Sequence, residues 1–322
     1  MRRFKLTSAP LTTTSAPLAK TSAPLTKTSA PLTTTSAPLA KTAAPLTTAF
    51  VALVTALLAL ATLLAPSASA DDGWEWEDRV ADADAVSFRG AAFDTCNTPP
   101  LDTMRAWRKS SPYRGVGVYF AGRGRHCPVQ KNLNESWVGQ VHDMGWQVLP
   151  IFVGSQAPCV YAENKKKVKI GNQPAKQGRS EAEQAVQEAA HLGMREGSAL
   201  YLDLEAYNAN NAACARTVLD FVRAWNREVR ELGYLPGFYS SAESGVRQIE
   251  QARVAGKSDL PAAIWFARWR SGPALYQEAA LHRDAWQHRR IHQYAGNSAE
   301  THGGKRLVVD RNDVDAPVAY IG

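Results

Sequence analysis

Four carboxylates stand where apolar runs end. Asp94 closes GAAFD, Asp203 and Glu205 close ALYLDLE, and Asp310 closes LVVD, with Asn312 and Asp315 just beyond. In an extended strand, residues two apart point to the same face, so Asp203 and Glu205 project together, roughly 7 Å apart along the backbone. Like charges at short range raise the pKa of at least one member and leave a protonated acid beside an ionised base. Glycoside hydrolysis uses such a pair, one group to protonate the leaving oxygen and one to stabilise or attack the anomeric carbon. A single Asp at a strand end is as readily a helix cap or an arginine's partner. The D-x-E with two further acids at strand ends is what points to catalysis. Tyr119, Tyr239, Trp265, Trp269 and Tyr294 fall at or just past the ends of similar runs, where aromatic faces could stack on sugar rings. Arg268 and His292 lie near the same rim, and a lone histidine is a weak catalytic candidate.

Eight apolar runs read as the strands that would carry these groups: 90–94, 115–120, 147–153, 199–205, 235–240, 262–267, 291–294 and 307–310. Several are continuously apolar, as in strands buried on both faces. Helical patterns follow the first five, over 100–109, 134–144, 180–192, 212–232 and 241–254. Ser180 and Glu183 have the spacing of a capping box at the start of the third helix. The alternation predicts an α/β fold with a parallel sheet, and eight strands in about 250 residues predict closure into a single-domain (β/α)8 TIM-type barrel over residues 89–322. The stretch 156–179, with Lys165, Lys166, Lys167 and Lys169, reads as a solvated loop on the active face; a second reading has it hold an anionic wall polymer.

The chain has 322 residues, 45% hydrophobic and 21% charged, enough for a packed core and too few cysteines, at 4, for a disulfide miniprotein. Its net charge of +7 is unevenly placed. Residues 1–70 hold six of the 37 basic residues and none of the 30 acidic ones, so the remainder carries 31 basic against 30 acidic, a net of +1. Nothing there indicates a phosphate-tracking surface, and no nucleic-acid partner is expected. Gly122-Arg123-Gly124 is too short for a dinucleotide fingerprint, so no cofactor is expected.

Residues 7–48 repeat every seven residues with a proline in each repeat, which excludes a coiled coil and marks a low-complexity leader. Ala49–Ala65 is uncharged and apolar, and Ala68-Ser69-Ala70 fits a small-residue cleavage site. Residues 49–70 therefore read as the core of a cleaved export signal, with 71–88 as a linker. An uncleaved membrane anchor is the alternative reading. Export favours two disulfides among Cys96, Cys127, Cys159 and Cys214. Of three connectivities, Cys96–Cys127 and Cys159–Cys214 are favoured, because each pair would sit on loops following neighbouring strands.

The ordered set F-D (93–94), D-L-E (203–205), G-F-Y-S (237–240), W-F-A-R-W (265–269), H-Q-Y (292–294) and V-D-R-N-D (309–313) resembles the family 25 glycoside hydrolases, the secreted lysozymes of the N,O-diacetylmuramidase type. G-A-A-F-D-T-C (90–96), and the L-G-x-x-x-G (192–197) before Y-L-D-L-E, resemble more closely a secreted bacterial glycoside hydrolase-like domain. The first strand departs from the lysozymes in reading D-T-C and not D-V-S. The resemblance implies Glu205 as general acid, Asp203 as the carboxylate assisting at the anomeric centre, and Asp94 and Asp310 as supporting acids. It implies a subsite from Tyr239, Trp265, Gln293 and Tyr294, to which the residues themselves add Tyr119, Trp269 and Asn312. The expected function is hydrolysis of cell-wall glycan, with peptidoglycan the expected substrate class, by a secreted or wall-associated monomer whose only membrane contact is through its export signal. The alternative is a wall-binding domain that keeps a glycosidase scaffold without cleaving. A metal-dependent hydrolase using Asp94, Asp203, Asp310 and a histidine is a third reading, unsupported by any H-x-H or H-x-x-x-H pattern.

Overall fold

The computed structural model describes residues 85–322; the repeat leader, the export-signal segment and the linker up to residue 84 lie outside the described residues. Eight strands form a closed barrel in chain order, a TIM-type α/β barrel. They are β1 (Ser87–Asp94), β2 (Gly115–Ala121), β3 (Gln147–Phe152), β4 (Ala199–Asp203), β5 (Leu235–Ser241), β6 (Ala263–Ala267), β7 (Arg290–His302) and β8 (Lys305–Pro317). Five helices cross between the first six strands: α1 (Leu101–Ser110), α2 (Glu135–Asp143), α3 (Pro174–His191), α4 (Ala212–Glu231) and α5 (Arg247–Val254). Each buries a stripe against the barrel, as α4 does with Val218, Phe221, Val222, Trp225 and Val229.

Four expectations change. β8 runs antiparallel to both β7 and β1, so the sheet is not wholly parallel. β7 and β8 form a hairpin whose turn uses Gly303 and Gly304, both at positive φ. The third helix begins at Pro174 and not at Ser180, so the capping box is not used. Gly178, which reads as a loop residue in sequence, is a packing residue: a Cβ there would lie 2.3 Å from the Phe221 carbonyl of α4. The first strand starts at Ser87, inside the expected linker, because Ser87 and Phe88 pair with Pro317 and Ala316 of β8.

The barrel interior is layered by strand periodicity. Ala92, Ile151, Tyr201, Leu235, Trp265, Ile291 and Val314 fill it with apolar side chains. The next inward position along most of these strands is polar: Asp94 on β1, Asp203 on β4, Gln293 on β7 and Asn312 on β8. One mouth of a packed barrel is thus lined by acids and amides.

Candidate active site

An open cavity of about 640 Å³ at this mouth is lined by Asp94, Asp203, Glu205 and Asp310, with Tyr119, Tyr239 and Trp269 among its walls. Asp310 belongs to it because β8 is reversed. It lies in mid-strand, where β8 begins to pair with β1, and is the direct cross-strand partner of Asp94. Asp203 closes β4, and Glu205 follows outside the strand. The Cys96–Cys127 disulfide forms part of the wall, and Cys159–Cys214 ties the segment after β3 to α4; both are the pairings expected from sequence.

Asp94 is the centre of a hydrogen-bond network. It accepts from the Tyr119 hydroxyl at 2.7 Å, the Gln293 amide at 3.0 Å and the Asn312 amide at 2.8 Å. Gln293 in turn accepts from the Tyr239 hydroxyl and the Trp269 indole, each at 2.9 Å. Burial pushes Asp94 above the usual carboxylate range, against the pull of its three donors. Asp310 is pushed up to about 7 by burial and by Asp94, although the Asn297 backbone N–H donates to it at 2.6 Å. That N–H is aimed by a register shift in the β7–β8 ladder, where Asn297 takes a positive φ of 54°.

The opposite wall is built differently. Asp203 is buried, its Oδ1 has no hydrogen-bond partner, and burial followed by the Glu205 charge raises it well above the usual carboxylate range. It is the member of the pair that favours a proton. Glu205 reaches the cavity with its side chain 37% exposed and meets the Lys165 ammonium at 3.3 Å. Gln156 fixes the backbone of this D-L-E: its amide donates to the Asp203 carbonyl at 2.8 Å, and its carbonyl accepts from the Glu205 N–H at 2.9 Å.

Several predicted residues stand elsewhere. Trp265 is fully buried beneath the cavity and cannot stack on a sugar; its indole donates to Asn312 at 2.9 Å and so orients an Asp94 donor. Tyr294 is not among the lining residues, because it adjoins inward-facing Gln293 and the strand's period of two turns it outward. His292 shares that outward face, stacked on Phe266 with ring centroids 4.5 Å apart, and burial lowers its pKa. Arg268 is paired with buried Glu278, and Asp315 accepts from Tyr276, both away from the cavity. The stretch 156–179 is not a wholly solvated loop, since Lys165 is buried in the cavity wall.

Lys165, Gln156 and the Asn297 N–H are the contributors that sequence reasoning missed. Lysine spacing within a lysine run offers no sign of which one turns inward. Among the described residues, no three His, Cys, Asp or Glu side chains are grouped to hold a metal ion.

A family model described as "Rv2525c-like, glycoside hydrolase-like domain" matches residues 105–314. The chain belongs to that family. Among solved structures it is similar to the Mycobacterium tuberculosis Tat-secreted protein Rv2525c, with 17% identity and a TM-score of 0.48 over 70% of this chain and 96% of that one. A B. stearothermophilus protein gives 17% identity and 0.47 over 70% and 95%. The Clostridium perfringens spore cortex lytic enzyme SleM gives 12% and 0.44 over 70% and 67%. No protein with a curated description matches the chain.

Proposed function

We propose that this glycoside hydrolase-like protein is an exported hydrolase of cell-wall glycan, of the family 25 lysozyme type, with peptidoglycan as its substrate. The observation that carries the reading is the meeting of Asp94, Asp203, Glu205 and Asp310, from three separate strands and one strand exit, in one open cavity. Hydrolysis needs a proton at the glycosidic oxygen as the bond to the anomeric carbon breaks, negative charge near that carbon, and water to complete the exchange. Glu205 is the member of its pair with the greater access to the cavity, and it is the residue that the resemblance assigns as acid. Asp203 lies behind it with a proton favoured by burial, so the pair acts as a unit that shares one proton, for the leaving oxygen, and one negative charge, for the anomeric carbon. Asp310, pushed up to about 7, is poised to gain or lose a proton near neutral pH. Trp269, 47% exposed at the rim, is the aromatic surface open to a sugar ring. Two disulfides fit an oxidising compartment outside the cytosol and support export.

Purified wall glycan incubated with wild type and Glu205→Gln tests the reading. Release of reducing ends by wild type, lost in the variant, supports it. Binding to insoluble wall material that survives Glu205→Gln and falls with Trp269→Ala, without release by wild type, replaces it with a non-catalytic wall-binding function. Neither release nor binding removes both.

A further inference from the structure

The segment between β3 and α3 is stitched to the exit of β4 at several points. Gln156 bridges the two backbones, Tyr161 N–H donates to the Ala206 carbonyl at 3.0 Å, Val160 pairs with Tyr207, and the Cys159–Cys214 disulfide closes the loop. A 3₁₀ turn over Glu163–Val168 then presents three lysines, of which only Lys165 is buried; Lys166 and Lys167 face solvent. The Lys165 ammonium donates to the Gly124 carbonyl at 2.9 Å and lies 3.3 Å from Glu205.

A structural pin to Gly124 needs a donor but not a charge. Burying an ammonium is costly unless a counter-charge meets it, and here the counter-charge is Glu205. We infer that Lys165 is a positioning residue for Glu205, holding its carboxyl in the cavity wall and setting how the Asp203–Glu205 pair shares a proton. The inference rests on the reading of that pair as the reactive one. Other groups bear on the same balance. Tyr239 faces the pair from β5, Asp94 and Asp310 from β1 and β8, and Tyr119 from β2; His126 and Arg306 are the other basic side chains lining the cavity. Lys165 opposes the burial and like-charge effects that raise Asp203.

The test is a carboxyl ¹³C NMR titration of Asp- and Glu-labelled protein, with signals assigned through Glu205→Gln and Asp203→Asn. Lys165→Met removes the charge and the donor. Lys165→Gln removes the charge and keeps a donor for Gly124, and it decides the matter if the Met variant does not fold. Titration of the pair moves to higher pH by about 1 unit in the neutral variants, since a cation within ~4–6 Å favours the carboxylate form, and Lys165→Arg restores the wild-type curve. An unchanged titration in the folded neutral variants overturns the inference. This readout needs no glycan turnover. A shift without any wall hydrolysis refutes the proposed function alone, and hydrolysis without a shift refutes only the role of Lys165.

Discussion

The two walls of the cavity hold their carboxylates in opposite ways. On the β1–β7–β8 side, Asp94 accepts from Tyr119, Gln293 and Asn312, and each amide is itself held by an aromatic donor. On the β4 side, Asp203 keeps a buried oxygen without a partner, and Glu205 meets only a lysine delivered by a loop among its described ion pairs. A satisfied buried acid stiffens its surroundings, whereas an unsatisfied one is a store of unfavourable energy that function can use. Under the proposed function, the difference separates a supporting wall from a reactive one. Substitutions should divide along that line into those that move stability and those that move rate.

The largest contrast is expected in rate. Glu205→Gln and Asp203→Asn should each slow reducing-end release by about 10²–10⁴-fold, the usual contribution of a positioned acid or base; thermal scans should show little change in Tm for Asp203→Asn and a fall for Glu205→Gln, which leaves the buried Lys165 ammonium without its counter-charge. Asp203→Asn is the sharper half, because a neutral amide replaces a group that burial already drives toward neutrality. A large fall in its Tm would break the comparison. Next comes stability on the other wall. Asp94→Asn turns an amide's donor toward groups that already donate, costing about 1–3 kcal/mol and lowering Tm by roughly 3–10 °C. An unchanged Tm would show that the network is not structural.

Smaller effects follow from Asp310. Its folded value of about 7 lies above the ordinary 3.8, so the fold favours its protonated form. That contribution is complete below the unfolded value and is lost as pH rises through 7. Asp310→Asn, which stays neutral, should match wild type near pH 4 and exceed its Tm at pH 8; parallel Tm curves across that range would contradict the assignment. Smallest is the pair of tryptophans. Trp269→Ala should weaken wall binding by about 10-fold with a smaller loss of Tm, since Gln293 keeps its bond from Tyr239, whereas Trp265→Phe should lower Tm by about 2–4 °C through its lost bond to Asn312. The reverse pattern, read from binding and melting curves, would exchange their roles.

Much of this was legible before the structure. Continuous apolar runs marked the strands, because strands inside a barrel are covered on both faces, and the inward period of two carries Asp94, Asp203, Gln293 and Asn312 to one mouth. The cysteine pairs followed from the order of the strand-end loops. What was hidden depends on direction and depth. The reversal of β8 brings Asp310 to the site from mid-strand, and no residue pattern announces it. Trp265 and Trp269 share one motif but lie four residues apart, so one fills the barrel and the other its rim. Gln293 and Tyr294 are adjacent and must therefore face opposite sides. Lys165 differs from Lys166 and Lys167 only in how a 3₁₀ turn sets it against Glu205.

The most direct test is a crystal structure of Glu205→Gln with a wall-glycan fragment bound. The account predicts a sugar ring against Trp269 and the glycosidic oxygen about 2.6–3.2 Å from the residue 205 amide, hydrogen-bond reach for a proton donor. A fragment bound elsewhere, or held in the cavity with its glycosidic oxygen beyond reach of both positions 203 and 205, would contradict it.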